Sequence, residues 1–552
     1  MYERLVENWL DSASELSYQA PFCQMLAHNG YRILHSTRHS PIELGKDVVA
    51  IAPDGTTCAY QLKGNPGTRL TLKQLREIQP QLRELVHLAL SGPGMPKGPH
   101  RSFLVTNGHV DEEARLAIQQ MNEANARDGF PERNLEVMQR GDLLNMAKQL
   151  EASLWPTEIT QTKLLLLTLT ESGKDLFPFG RADRLLGHLL GLDGEKAPEW
   201  SAAEVRRRIA SGAMLVSLLL KNYAEQRNHF AIASAWTMFA AYAIAACERF
   251  NISFKRNAKQ SVDLATAATR EALLDLTEEV LERKHLLEGD AYVDAMAYRG
   301  RYTLLLGTMS VVWAWCSREG WPESLDQDKL EKFLDDGNVH LDPWGEGAFP
   351  QLLAYYWYLR NTDARSLKVD GFLVSILNLT VRRPDPNQGA GLPSPYWTFE
   401  DVLRHRLSPV LGTEQDPLEN EAVGFTSFYA ESLLQLLVRT GSKPTCKLLW
   451  PELTRIRFSK FQPSARWGYG KWRTDHGQTV EVAPPFTMAW KDLVVASRHV
   501  DVNGVPQPLL DRPLLLLFFV LLFPHRGTPE VVRHLGHLLD PTWFLREGPI
   551  GS

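Results

Sequence analysis

The chain has 552 residues, more than one compact core usually holds, and this length predicts about two to four domains. Hydrophobic residues make up 44% and charged residues 23%, which is typical of globular proteins and excludes a long disordered chain. The net charge of −5 excludes a uniformly basic protein, so any nucleic-acid surface must be a local patch.

The first 152 residues alternate between helical and strand-like patterns. Apolar residues at helical spacing from Leu5 to Leu16 predict an opening amphipathic helix. Residues 21–29 predict a second helix, which ends at Gly30. A short strand over 31–34 follows.

Two strand-like runs then flank a turn. Residues 47–51 and 58–63 are rich in strand-forming residues, and Pro53, Asp54 and Gly55 between them are typical turn residues. This arrangement predicts a β-hairpin.

The segment after the hairpin completes an α/β pattern. Residues 70–90 look helical, although Pro80 is expected to kink or divide that helix. The remaining predictions are a strand over 102–106, a helix capped by Asp111, a strand over 135–138 and a helix from Gly141. Residues 1–152 are therefore predicted to form an α/β domain in which helices flank a small mixed sheet.

The rest of the chain is expected to be mostly α-helical. We predict a helical domain over 153–385 and a mostly helical C-terminal domain over 386–552, with a Pro- and Gly-rich stretch at 382–396 near the boundary. Residues 455–482, in which cationic and aromatic residues alternate, are predicted to form short strands or an irregular arm. Such an arm could stack on nucleic-acid bases or contact a protein, but a structural role is the favoured interpretation.

Compartment is indicated by the cysteines and by the absence of targeting patterns. The five cysteines are scattered without a CxxC pair, which argues against a cysteine zinc site and favours a reducing compartment. The N-terminus lacks the apolar core of a signal peptide. The longest apolar run, 514–523, is about half of the roughly 20 residues that span a bilayer. We expect a cytoplasmic protein without a membrane partner.

Three polar residues stand inside the otherwise apolar hairpin. Asp47 begins the first strand, and Gln61 and Lys63 lie near the end of the second. Because residues i and i+2 of a strand face the same way, Gln61 and Lys63 share a face, and the hairpin can bring Asp47 beside them. Phosphodiester hydrolysis needs hard oxygen ligands for a divalent cation and a nearby cation for the developing charge.

These residues resemble the motif of the Mrr-like restriction endonucleases, a branch of the PD-(D/E)XK nuclease superfamily. That motif is Gly-x-Asp, a hairpin and Gln-x-Lys, and the corresponding residues here are Gly45, Asp47, Gln61 and Lys63. The resemblance extends to the helix before the motif and to the strands and helices after it. It covers about 150 residues, just over a quarter of the chain.

The resemblance implies DNA cleavage that depends on Mg²⁺, for which Mn²⁺ may substitute. Asp47 would be the principal metal ligand, Gln61 would stand in place of the usual second acid, and Lys63 would be the catalytic lysine. The backbone carbonyl of Leu62 would be a further ligand. Related nucleases often add an acid from the first helix, and the resemblance places it near Phe22, but Cys23 and Gln24 stand there.

Two other acids are candidates for that missing ligand. Glu15 shares a helical face with other polar residues, so a solvated helix surface is the favoured alternative for it. Glu43 lies four residues before Asp47 and is as well explained as a solvated loop acid.

A local excess of cations follows the motif. These residues could track the phosphates of a nucleic acid, and an ordinary charged helix surface explains them equally well. The candidates are Arg69, Lys73, Arg76 and Arg83.

The sequence thus leads to a functional hypothesis with two alternatives. We expect a metal-dependent endonuclease acting on DNA, the effector of a bacterial restriction or anti-phage system. Its helical region would sense a trigger, form a homo-oligomer or dock a partner such as a separate ATPase or sensor. The alternatives are an inactive nuclease fold that binds nucleic acid, and a nuclease directed at RNA.

Overall fold

The fold is known from a computed structural model of the whole chain. The residues that it describes are 2–36, 46–65, 68–90, 95–154, 158–255, 257–283, 295–336, 343–362, 367–381, 392–404, 426–472, 477–482 and 488–541. These residues divide into two compact units. The first comprises Met1–Leu276 and Pro322–Ser324, and the second comprises Thr277–Trp321 and Leu325–Ser552.

A five-stranded mixed sheet lies at the centre of the N-terminal segment. Its order is β1-β2-β3-β5-β7, with β1, β2 and β3 antiparallel and β3, β5 and β7 parallel. The strands are β1 (Arg32–His35), β2 (Val48–Ile51), β3 (Thr57–Lys63), β5 (Arg101–Thr106) and β7 (Leu135–Met138). The mixed sheet with flanking helices confirms the α/β prediction at this level, and the predicted hairpin is the β2–β3 pair.

Helices cover both faces of this sheet. Ala59 of β3 packs with Leu82 of α3 and Ile118 of α4 in one apolar cluster, whereas the neighbouring Tyr60 packs against Phe22 of α2 on the other face. The helices are α1 (Tyr2–Ser12), α2 (Glu15–His28), α3 (Leu72–His87), α4 (Glu112–Arg127) and α5 (Arg140–Leu154). Because helices cover both faces, consecutive side chains of β3 from Cys58 to Leu62 are buried.

The first two helices differ from their predicted bounds. The opening helix ends at Ser12, and α2 begins at Glu15, where the Ser14 hydroxyl accepts a hydrogen bond from the Ser17 backbone N–H. Pro21, expected to begin the second helix, lies inside α2. The serine cap competes with continuation of the apolar pattern and divides the first helix from the second.

Pro80 does not divide the third helix either. The segment from Leu72 to His87 is one helix with Pro80 inside it, begun by a capping box between Thr71 and Gln74. Packing of the buried face against the sheet offsets the hydrogen bond that proline cannot donate.

Two very short strands were not predicted. β4 (Arg69–Leu70) and β6 (His109–Val110) pair in parallel beside the main sheet. Pairs of two residues carry too little periodicity to be recognised in a sequence.

The helical part of the first unit packs directly against the α/β segment. The Gln24 amide donates to the Ser261 carbonyl, and the Ser211 hydroxyl donates to the Leu150 carbonyl. The helices are α6 (Ile159–Leu169), α7 (Phe179–Leu189), α8 (Ala202–Leu219), α9 (Lys221–Glu225), α10 (His229–Arg249) and α11 (Asn257–Glu282). The predicted boundary at residue 152 lies inside this unit, and the three predicted domains stay a prediction.

Helix α10 is buried along most of its length. It is also the one helix among the described residues that is long and apolar enough to cross a membrane, and 89% of its most apolar window is buried inside the protein. A core helix of a globular protein meets the same criterion, so this finding does not indicate a membrane span.

The second unit is also mostly helical. Helix α12 packs against α14 and α20, and α20 is the apolar run that the sequence predicts to be buried. The helices are α12 (Ala295–Glu319), α13 (Gln327–Asp335), α14 (Phe349–Thr362), α15 (Leu367–Val381), α16 (Ala430–Arg439), α17 (Lys443–Leu453), α18 (Trp490–Arg498), α19 (Gln507–Leu510), α20 (Pro513–Leu522) and α21 (Pro529–Leu539). Most of the stretch 382–396 lies outside the described residues.

Of the two alternatives that the sequence leaves for 455–482, the structure contains the short strands, which belong to a small sheet. β9 (Arg457–Pro463) pairs antiparallel with β10 (Gly477–Val482) and parallel with β8 (Thr426–Ser427). Tyr469 and Lys471 of the arm are buried, and Lys460 pairs with Glu530. These contacts agree with the structural interpretation of the arm.

Candidate active site

The β2–β3 hairpin brings Asp47 and Gln61 into direct contact. The Asp47 backbone N–H donates to the Tyr60 carbonyl over 2.9 Å, which continues the strand pairing by one residue. One carboxylate oxygen of Asp47, Oδ2, then accepts two hydrogen bonds, from Gln61 Nε2 at 2.7 Å and from the Leu62 backbone N–H at 2.6 Å. Asp47 is thereby held against the end of β3.

Gln61 has one satisfied and one unsatisfied polar atom. Its side chain is buried, with an exposed fraction of 3%, and its Nε2 group is used by Asp47. Its carbonyl oxygen, Oε1, is buried without a hydrogen-bond partner. A buried, unpaired carbonyl oxygen costs free energy unless a ligand satisfies it, and a hard cation is such a ligand.

Lys63 lies beside the start of α2. Its Nζ is 3.6 Å from Glu15 Oε2, and the exposed fractions of the two side chains are 19% and 34%. The backbones of Gly64 and Glu15 also lie close together. A Cβ added to Gly64 would be only 2.7 Å from the Glu15 backbone nitrogen. The absence of a side chain at Gly64 allows the first turn of α2 to approach the end of β3.

Tyr18 holds the backbone of Lys63. Its hydroxyl accepts a hydrogen bond from the Lys63 N–H at 3.1 Å and lies 3.1 Å from the Lys63 carbonyl and 3.2 Å from the Val105 carbonyl, to which it can donate. Burial, followed by the negative charge of Glu15 and, more weakly, that of Asp47, raises the pKa of the Tyr18 hydroxyl well above its ordinary value. Tyr18 therefore remains a neutral hydrogen-bonding group.

A buried polar network supports the same end of the sheet. Asn107 accepts a hydrogen bond from the Asn65 N–H and donates to the Leu10 and Ala13 carbonyls at the end of α1. The Thr106 hydroxyl donates to the Asn65 side chain. The network ties the ends of β3 and β5 to the α1–α2 turn, just before Glu15.

Three side chains near this end of β3 carry oxygen atoms of the kind that a hard divalent cation prefers. Asp47 contributes a half-buried carboxylate, Gln61 an unpaired buried carbonyl, and Glu15 a carboxylate close to Lys63. Among the described residues there is no group of three or more His, Cys, Asp or Glu side chains that could hold a metal. The candidate ligands therefore include few acids, and the amide oxygen of Gln61 stands where a second carboxylate on the strand would be expected.

The cations that follow the motif are exposed. Arg69 pairs with Asp111 at 3.5 Å, so the Asp111 carboxylate partly compensates the charge of Arg69. Lys73, Arg76 and Arg83 lie on the solvent side of α3. Lys73 and Arg76 line a shallow depression that also contains two acids, Glu77 and Glu113.

The structure brings together four of the predicted site residues at the end of β3, namely Asp47, Gln61, Leu62 and Lys63. It adds Glu15, which the sequence offered only as one of two candidates. The other candidate, Glu43, lies outside the described residues. Gln24, which stands where the resemblance places the helix-one acid, donates to the Ser261 carbonyl.

Sequence reasoning missed Tyr18, Gly64 and Asn107. Tyr18 falls three residues after Glu15, so helical spacing could have placed it on the same face of α2. The contact between Gly64 and Glu15 and the bonds of Asn107 join residues far apart in sequence, and no local pattern signals them.

In comparisons with models of protein families, with curated proteins and with solved structures, the chain matches none.

Proposed function

We propose that this protein is a metal-dependent endonuclease that hydrolyses DNA phosphodiester bonds at the end of β3. The observation that supports this most strongly is the contact between Asp47 and Gln61, at 2.7 Å, beside the pair formed by Lys63 and Glu15. A carboxylate, an amide oxygen and an ammonium group thus occur within a few residues of one strand end. The order of helix, hairpin, helix, strand, helix and strand also agrees with the resemblance to Mrr-like nucleases.

Each residue has a chemical role in this proposal. Asp47, the Gln61 carbonyl and Glu15 would hold the cation, and the Leu62 carbonyl is a further candidate ligand. When bound, Mg²⁺ or Mn²⁺ supplies a water of lowered pKa and a positive charge for the phosphate. The Lys63 ammonium has three N–H donors, which suit it to orient the attacking water or to stabilise charge on a phosphate oxygen.

The proposal is tested by a substrate panel. Purified protein would be incubated with supercoiled plasmid, linear duplex, single-stranded DNA and RNA, with Mg²⁺, with Mn²⁺ and with EDTA. We expect cleavage of DNA that needs the metal and is lost in Asp47→Ala. Cleavage that persists in EDTA or in Asp47→Ala would contradict the proposal, and cleavage of RNA alone would replace DNA with RNA as the substrate.

A second candidate is a nuclease fold that binds nucleic acid without cutting it. The specific observation in its favour is that the described residues hold no group of three acidic, His or Cys side chains. Mn²⁺ titration of wild type and Asp47→Ala separates the two candidates. Metal binding that is lost in the variant supports the nuclease, whereas no metal binding combined with DNA binding supports the second candidate.

We propose roles for the rest of the chain by analogy. The helical region would sense a trigger, dock a partner such as an ATPase, or form a homo-oligomer, because cutting both strands with one site per chain favours at least two copies. A cytoplasmic role in defence against foreign DNA suits such an enzyme. Mass photometry with and without DNA would test for the oligomer.

A further inference from the structure

One face of α2 runs along β3 from its end towards its middle. Glu15, Tyr18 and Phe22 have the spacing i, i+3 and i+7, which places them on one side of the helix. Glu15 reaches the Lys63 ammonium, and Tyr18 reaches the Lys63 backbone. Phe22 packs edge-on against Tyr60, with ring centroids 5.3 Å apart. The helix thus contacts Lys63 at both its side chain and its backbone.

The Tyr18 hydroxyl lies where two parallel strands end. Leu62 and Lys63 of β3 are in register with Val105 and Thr106 of β5. The hydroxyl contacts the Lys63 N–H, the Lys63 carbonyl and the Val105 carbonyl, and it is buried with an exposed fraction of 1%. Water cannot easily replace this hydroxyl, so its removal would leave the Lys63 N–H without a partner.

We propose that Tyr18 is a positioning residue, which fixes the Lys63 ammonium at the place where it acts on the phosphodiester. This inference rests on the proposed function, since it assigns Lys63 a role in cleavage. The physical reason is that the ammonium lies at the end of a flexible side chain with four rotatable bonds. This group can be held in a reactive position only if the Lys63 backbone, from which the side chain extends, is fixed. Tyr18 fixes the Lys63 backbone, and Glu15 attracts the ammonium at the end of the Lys63 side chain.

The test compares Tyr18→Phe with Tyr31→Phe in the full-length protein. Tyr31 is a half-buried tyrosine of the same unit, whose side chain makes none of these contacts with Lys63. Each protein is treated with an amine-acylating reagent, and modification of Lys63 is measured by mass spectrometry against the exposed Lys163. We expect Lys63 modification to rise several-fold in Tyr18→Phe only. Unchanged modification in Tyr18→Phe would overturn the proposal.

Cleavage kinetics provide the second readout. We expect kcat to fall by roughly tenfold to a hundredfold in Tyr18→Phe while KM for DNA changes little, because misplacing a catalytic group affects the reaction more than binding. An increase in Lys63 acylation in Tyr18→Phe together with an unchanged kcat would overturn the positioning role. If the wild type cuts no DNA, the proposed function fails, and the acylation result still decides whether Tyr18 fixes Lys63.

A third measurement needs no variant and covers the case in which Tyr18→Phe does not fold. Hydrogen exchange of the wild-type Lys63 amide reports its bond to the Tyr18 hydroxyl. We expect slow exchange, comparable to that of the central β3 amides. Exchange as fast as that of an open loop would overturn the proposal.

Discussion

The side chain of Asp47 accepts two hydrogen bonds from β3 at a single oxygen. Oδ2 accepts from Gln61 and from the Leu62 backbone, so the carboxylate is fixed by two donors at the end of the strand. These two donors orient the acid. This arrangement also explains why glutamine is compatible with Asp47 in the absence of metal, since a second carboxylate at 2.7 Å would repel it.

Gln61→Glu tests this interpretation. Without metal, two adjacent carboxylates should lower the melting temperature, corresponding to a loss of about 1–3 kcal/mol in the free energy of unfolding. With Mn²⁺, the added acid should strengthen metal binding, so the metal should raise the melting temperature more than in wild type. Thermal unfolding with and without Mn²⁺ measures both effects.

Gln119→Glu is the matched control. Gln119 also donates to a carboxylate, that of Glu123, but the pair is exposed on α4. Because water screens this exposed pair, Gln119→Glu should change the melting temperature little, with or without Mn²⁺. If Gln61→Glu were as stable as wild type and insensitive to Mn²⁺, Asp47 and Gln61 would not form a metal site.

At the level of elements, the exposed face of α3 is the candidate surface for phosphates. Replacing Lys73 and Arg76 by Ala should weaken DNA binding, and the slope of log affinity against log salt should fall by about one for each lost phosphate contact. Fluorescence anisotropy with a labelled duplex at several salt concentrations measures this slope.

Arg115 and Arg127 on α4 provide the control for that experiment. They are also exposed cations of the α/β segment but lie on another helix. If replacing this pair by Ala lowered the salt slope as much as the α3 pair does, then α3 would not be a specific phosphate surface.

A buried acid joins two elements of the second unit. Glu346 accepts hydrogen bonds from the Ser427 hydroxyl and from the Phe428 N–H, just before α16. Burial raises the pKa of Glu346 to about 7. Because the folded-state pKa lies above the unfolded value, its contribution to stability is complete at low pH and is lost as the pH rises through about 7.

Glu346→Gln should therefore reduce the pH dependence of stability. Between pH 5 and pH 8 the wild type should lose about 2–3 kcal/mol more than the variant in the free energy of unfolding. Urea unfolding followed by tryptophan fluorescence at the two pH values gives this difference, with Glu481→Gln on the exposed face of β10 as control. Equal pH dependence in wild type and Glu346→Gln would show that Glu346 is ionised in both states.

The elements differ in how far the sequence predicts them. The β2–β3 hairpin could be predicted because the turn at Pro53, Asp54 and Gly55 and the strand-forming residues around it are local signals. The start of α2 could not, because the Ser14 cap interrupts an apolar pattern that continues through it. For 455–482 the sequence leaves short strands and an irregular arm as alternatives, because the pairing of β9 with β8 depends on a distant segment.

The candidate site, too, could be predicted only in part from local sequence signals. Strand alternation places Gln61 and Lys63 on one face, and the hairpin register adds Asp47. The approach of Glu15 depends on Gly64 and on the bonds of Asn107 to α1, which are tertiary contacts between distant residues. A single sequence contains no pattern from which these contacts follow.

For the whole molecule, a net charge of −5 means that DNA binding cannot rest on overall attraction. Any affinity for DNA must come from a local surface beside the candidate site. The α/β segment also shares its compact unit with α6–α10 and most of α11, and some of these helices pack against it. Their role as a sensor or an oligomerisation surface stays a proposal.

The central claim is that Lys63 and Asp47 form a site that cuts DNA, and nicking of supercoiled plasmid in Mn²⁺ tests it most directly. The initial rate would be compared between wild type, Lys63→Ala and Lys163→Ala, which removes an exposed lysine of α6. We predict nicking by wild type and Lys163→Ala, and its loss in Lys63→Ala with an unchanged melting temperature. Nicking by Lys63→Ala at the wild-type rate would contradict the account.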